Sequence, residues 1–209
     1  MLTFILQVGA IINAGADTTS IAITNVLDNL IRHPEHLKTL RDELDAALDP
    51  EDAVAPYSST KDLPSLRACL DESLRMIPPT PHGLPRRTPA EGTNIMGEWI
   101  AGNTTVSMTA EAAHHDPSVF SAPHEFQPER WMDPEQRRKL ESNFIPFSKG
   151  GRGCLGRNIS YLEQTIVVAS LVHRYDFAFA SEDHETERFE AFNLIMGKLP
   201  LQLWQRQRQ

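Results

Sequence analysis

The ten residues Phe147-Ser148-Lys149-Gly150-Gly151-Arg152-Gly153-Cys154-Leu155-Gly156 constrain this chain more than any other stretch. Their glycines allow tight turns and let a flat or bulky ligand come close to the backbone. The segment from Arg157 to Arg174 that follows is amphipathic and predicts a helix. The run therefore sets one thiol at the mouth of a helix with Arg152 beside it. A helix N-terminus and a nearby cation both favour negative charge on that sulfur. Taken alone, such a loop reads by default as a glycine-rich turn around an incidental buried cysteine.

Gly151-x-Gly153-x-x-Gly156 also matches a dinucleotide-binding fingerprint in form, with Asp176 at a fitting distance beyond it. Three features reject that reading. Pro146 occupies the segment where a central strand is required. Asp176 precedes the next strand pattern instead of ending it. Too little chain remains afterwards for a doubly wound sheet.

The 209 residues can bury a core and are expected to form a single domain over residues 1–209. A net charge of −8 argues against nucleic acid as a partner. Two cysteines make no disulfide framework. Cys69 shares an apolar helical face with Leu66, Leu70 and Leu74 and reads as a small buried hydrophobe. The eight histidines show no metal-ligand spacing and read as surface or loop residues.

Helical periodicity runs from Met1 to about Arg32, from Pro34 to about Leu48, and from Pro64 to Met76. Residues 49–61 read as a polar loop. Short strands are expected over 80–109, with a hairpin at Asn94–Ile100, and one helical turn over Ala110–His115. Pro117 to Lys139 is proline-rich and reads as mostly irregular. Tyr175–Phe179, Phe189–Met196 and Leu199–Trp204 alternate as strands. The fold class is mainly α with small β-sheets. The first helix carries Phe4, Ile5, Leu6, Val8, Ile11 and Ile12. Its apolar run is too short to span a bilayer and has no basic region before it, so a buried helix is the better reading. It is nevertheless apolar on more than one face, more than the remaining elements can cover.

Three further patterns stand out. Ala14-Gly15-Ala16-Asp17-Thr18-Thr19 places small residues, an acid and two hydroxyls inside an oily helix. Glycine there costs about 1 kcal/mol relative to alanine. Thr18 is placed to bond back to the Ala14 carbonyl. The run suits either a close helix contact or a gap for a flat cofactor. Glu72-Ser73-Leu74-Arg75 is an i,i+3 acid–base pair, uninformative by itself. Pro128-Glu129-Arg130-Trp131 supplies another arginine.

The loop resembles the haem-binding loop of the cytochrome P450 family, matching Phe-x-x-Gly-x-Arg-x-Cys-x-Gly at Phe147, Gly150, Arg152, Cys154 and Gly156. The other runs fall in that family's order. The resemblance covers essentially the whole chain and the C-terminal half of the family's fold: the long oxygen-binding helix, the Glu-x-x-Arg helix, the Cys loop and the C-terminal helix. It implies that Cys154 ligates the iron of haem b, and that Asp17 and Thr18 deliver protons during oxygen activation. It further implies that Glu72, Arg75 and Arg130 form a buried network that fixes the Cys loop. Arg152 is the better candidate to pair with a haem propionate; Arg86 is a second, with Arg87 adjacent to it. His114-His115-Asp116-Pro117 resembles a family segment and departs from it at the second position, which is usually arginine.

The activity implied is a monooxygenase acting on a small apolar organic substrate, with a tone similar to fungal biosynthetic members. Electrons would come from NADPH through a separate reductase. Intact eukaryotic relatives are anchored to the endoplasmic reticulum; this chain is expected to lack that anchor and any transmembrane segment. Two other readings stay open. One is a truncated, inactive remnant, and the other is a haem-binding module without oxygenase activity.

Overall fold

A computed structural model describes residues 2–207, with side chains from residue 6 onward. Helices dominate: α1 (Leu2–Arg32), α2 (Pro34–Ala47), α3 (Tyr57–Thr60), α4 (Pro64–Met76), α5 (Ala110–His114), α6 (Pro134–Leu140) and α7 (Arg157–Arg174). Four two-stranded antiparallel sheets complete the described fold. They pair β1 (Arg86–Arg87) with β4 (Thr105–Val106), β2 (Thr93–Ile95) with β3 (Glu98–Ile100), β5 (Tyr175–Phe179) with β8 (Leu201–Gln205), and β6 (Arg188–Phe189) with β7 (Ile195–Met196).

Local chemistry accounts for the boundaries. Proline at the first turn opens both α2 and α4. The start of α4 is capped from a neighbouring helix, where the Glu43 carboxylate accepts the N–H groups of Ser65 and Leu66 at 2.8 and 2.9 Å. The β2–β3 turn places Met96 and Gly97 at φ 54° and 92°, the two positive values a tight hairpin of this twist needs. The Asn94 side chain accepts the Gly97 N–H.

The main core gathers Val26 and Leu30 of α1, Leu40 and Leu44 of α2, Leu66 and Leu70 of α4, and Val168 and Val172 of α7. Every one of these is at most 1 % exposed. Fully burying a Leu or Val side chain contributes about 1.5–3 kcal/mol, so this four-helix contact is the main source of cohesion.

Several expectations are corrected. The start of α1 is not buried. Leu6, Ile11 and Ile12 are 65, 71 and 64 % exposed, because α1 meets its partners from Thr19 onward. The Phe4 and Ile5 side chains lie outside the described residues. The mostly irregular stretch 117–139 does hold the start of one helix not foreseen there: Asp133 accepts the Glu135 and Gln136 N–H groups and starts α6. The 49–61 loop contains α3. Phe189–Met196 is the hairpin of β6 and β7, not one strand. His114 and His173 are core residues, at 0 and 1 % exposure, not surface ones. No described helix is long and apolar enough to cross a membrane.

Candidate functional site

The Cys loop begins where Phe147 leaves the core and ends where α7 starts. Ser148 and Gly150 both adopt left-handed backbone, at φ 58° and 70°. A 3-10 turn over Gly150–Arg152 follows. The loop closes on itself, with the Cys154 N–H donating to the Phe147 carbonyl at 2.8 Å. A side chain added at Gly150 or Gly151 would meet nothing within 4 Å, whereas one added at Gly156 would face the Cys154 sulfur at 3.8 Å. Cys154 is exposed and Cys69 is buried. Burial in the core pushes the Cys69 thiol far up, which leaves it inert.

The second component is the buried trio. Glu72, Arg75 and Arg130 are 0, 0 and 3 % exposed. Glu72 accepts five hydrogen bonds at 2.8–3.0 Å, from Arg75 Nε and Nη2, Arg130 Nε, the Gln127 N–H and the Trp131 indole. The bidentate Arg75 contact has the fork geometry that makes such pairs strong. The guanidinium groups then pin backbone carbonyls. Arg75 reaches His114, Pro123 and Glu125, and Arg130 reaches Ser121 and Ala122. The structure thus buries this trio together, with its donors directed at named acceptors.

A neighbouring cluster escaped the sequence reading. Asp71, fully buried, accepts from Arg67 Nε at 2.9 Å, Arg137 Nη2 at 2.7 Å and the Tyr161 hydroxyl at 2.7 Å. The Tyr161 ring lies 5.1 Å from Phe147. Burial foremost, then the Asp71 charge, push the Tyr161 hydroxyl well above its ordinary range, so it stays a donor. The only sequence signal was a second acid directly beside Glu72.

On α1, the Thr18 hydroxyl donates to the Ala14 carbonyl at 2.8 Å, the bond its position suggested. Asp17 is exposed, and its carbonyl accepts the Ser20 hydroxyl. Thr19, not singled out from the sequence, is buried and bonds Ser160 at 3.1 Å, which joins α1 to the first turn of α7. Arg86 and Arg152 are both exposed. Arg86 donates to the adjacent Pro85 carbonyl. No carboxylate among the described residues pairs with either guanidinium. Arg152 lies two positions before Cys154, and no described contact links Arg86 to the loop.

His114 is the strongly perturbed histidine. Burial first, and the Arg75 charge with it, lower its pKa to about 3, against an Arg75 carbonyl bond that favours the charged form. The unfolded chain takes up a proton near pH 6.5 that the fold resists until about pH 3. Stability present above pH 6.5 is therefore lost as pH falls through that window. The expected slope from this group is about 1.4 kcal/mol per pH unit. Urea unfolding of the wild type and of His114→Gln across that window checks it, and equal slopes would remove the assignment.

Among the described residues, no group of three His, Cys, Asp or Glu side chains could hold a metal ion by itself. The sequence profile described as Cytochrome P450 matches residues 3–204. The chain is 38 % identical over 170 residues to the cytochrome P450 monooxygenase atr2 of Stereocaulon alpinum, covering 81 % of this chain and 33 % of that protein. It is 40 % identical over 172 residues to a cytochrome P450 monooxygenase of Aspergillus terreus, covering 79 and 35 %. It spans about a third of the length of these curated relatives. Among solved structures, the cytochrome P450DA heme domain superposes with a TM-score of 0.85 at 27 % identity, over 96 % of this chain and 44 % of that one. A profile match over nearly the whole chain, with the Cys loop and buried Glu–Arg–Arg trio already in place, makes this chain a member of the cytochrome P450 family.

Proposed function

We propose that this chain carries the sulfur-ligand part of a haem-dependent monooxygenase acting on a small apolar organic substrate, in fungal secondary-metabolite biosynthesis. One observation carries the reading: an exposed Cys154, held by its own backbone in a glycine loop at the mouth of α7, in a fold that also buries the Glu72–Arg75–Arg130 trio.

The residues fit haem b. Gly150 and Gly151 leave open space where side chains would project, as a broad planar ligand requires. Arg152, exposed and without a carboxylate partner among the described residues, suits a propionate. Arg86 would serve only from a different side-chain position, since it now turns to Pro85. When bound, the haem iron supplies oxygen activation, with electrons drawn from NADPH through a separate reductase. This chain's own residues do the rest. Cys154 offers its sulfur to the iron, and Phe147 and Gly156 fix the loop on either side. Asp17 and the Thr18 hydroxyl hold and pass protons from α1. Exposure of α1 ahead of Thr19 favours a second reading for the chain on its own, a haem-binding module without turnover.

Haem loading of the 209-residue chain, read as the ferrous carbon monoxide spectrum, tests the ligand. Cys154→Ser is expected to abolish the red-shifted Soret band, and Cys69→Ser to keep it. The reverse pattern would reassign the ligand.

A further inference from the structure

The Glu72–Arg75–Arg130 trio is expected to order the Cys loop, yet its hydrogen bonds stop short of it. They reach His114, residues 121–127 and Trp131, and none reaches residues 144–156. Trp131 packs on Phe144 at 4.7 Å, an apolar contact that fixes no direction. The directional link runs through His114.

The His114 ring has a backbone partner on each nitrogen. The Ile145 N–H lies 2.9 Å from Nε2, and the Arg75 carbonyl lies 3.0 Å from Nδ1. A backbone N–H can only donate, so Nε2 accepts and Nδ1 carries the proton given to Arg75. The contact is returned, because Arg75 Nη1 donates to the His114 carbonyl at 2.9 Å. Arg75 and His114 thus hold each other's main chain, and the far ring nitrogen holds Ile145. Two residues on is Phe147, whose carbonyl takes the Cys154 N–H. The ring is fully buried and lies 5.5 Å from Phe144, so no water competes for either bond.

We propose that His114 is a positioning residue for Cys154, passing the order of the ion network to the Cys loop by accepting the Ile145 N–H. The inference rests on Cys154 being the sulfur ligand of the haem. It accounts for a fully buried imidazole with a backbone partner on each ring nitrogen.

Two substitutions separate the two bonds. In His114→Asn the side-chain amide nitrogen reaches where Nδ1 sits, which keeps the Arg75 bond and leaves Ile145 without an acceptor. In His114→Gln the side-chain oxygen reaches where Nε2 sits and restores that acceptor. Hydrogen exchange of the haem-free chain is the first readout. Amides over residues 144–156 should exchange about tenfold faster in His114→Asn and near the wild-type rate in His114→Gln, with α4 alike in both. After haem loading, the red-shifted carbon monoxide band should fall below half in His114→Asn and persist in His114→Gln.

Equal loop exchange in the two variants would overturn the proposal, because a merely structural histidine would not tell them apart. A measurement on the wild type needs no variant to fold: NMR coupling across the Ile145 N–H to Nε2 bond should be present, and its absence would overturn the proposal too. A red-shifted band missing from the wild type would sink the haem reading and the positioning role with it, while the exchange pattern would still report the latch.

Discussion

Glu72→Ala should yield no soluble, haem-loaded protein, because removing one partner of a buried ion network typically costs about 3–5 kcal/mol. The cost is not the loss of one salt bridge. Alanine leaves Arg75 and Arg130 charged and out of water, and it orphans the Gln127 N–H and the Trp131 indole as well. Both guanidinium groups also hold loop carbonyls, so relaxing them to find water would release residues 121–127. A domain's whole stability is about 5–15 kcal/mol, so the expected loss is a large share of it. Solubility, circular dichroism and haem content decide the matter. A well-folded, haem-loaded Glu72→Ala protein would show that the trio is an ordinary salt bridge.

Expressed alone with haem, NADPH and a competent reductase, the 209-residue chain should self-associate and form no product coupled to substrate. Leu6, Ile11 and Ile12 stand out from α1, and Leu155 and Ile159 from the Cys loop and α7, at 62–102 % exposure. These groups lie on both sides of the Thr19–Ser160 bond. Apolar surface of this kind marks a contact face or an aggregation hazard. Gly15 and Asp17 of α1 are likewise exposed, so water would have access to a haem bound against that run, which would uncouple oxygen activation from substrate oxidation. Light scattering and product assay check both halves of the expectation. Coupled product from a monodisperse monomer would refute it.

Strong local signals are legible in the sequence. The ends of α1, α2, α4 and α7 follow from apolar spacing and the prolines at 34 and 64, and β5 from its alternation. The Asn94–Ile100 hairpin follows from its turn residues. Helix α6 was hidden because Asp133-Pro134 is both a helix start and one more proline in a proline-rich stretch. Pairing of β5 with β8 joins Tyr175 to Gln205, a choice no local pattern makes. The same limit applies to the site. Glu72, Arg75 and Arg130 came from motifs, whereas Asp71, Tyr161 and His114 matter only through partners 90, 90 and 39 positions or fewer away in sequence. Histidine near neutral spacing looks like surface until its backbone partners are seen.

The Thr19–Ser160 bond has a mechanical meaning. It marks the point where α1 joins the packed body, and residues 6–17 ahead of it are exposed. At a rise of about 1.5 Å per residue, the stretch from Leu2 to Thr18 is about 25 Å long, and a tilt of about 5° at this joint would move its far end by about 2 Å. Gly15 and Thr18 sit within about one turn of the fulcrum, where the same tilt displaces them by about 0.5 Å or less. Placing the Ala14–Thr19 run at this joint keeps its backbone nearly fixed under such a tilt.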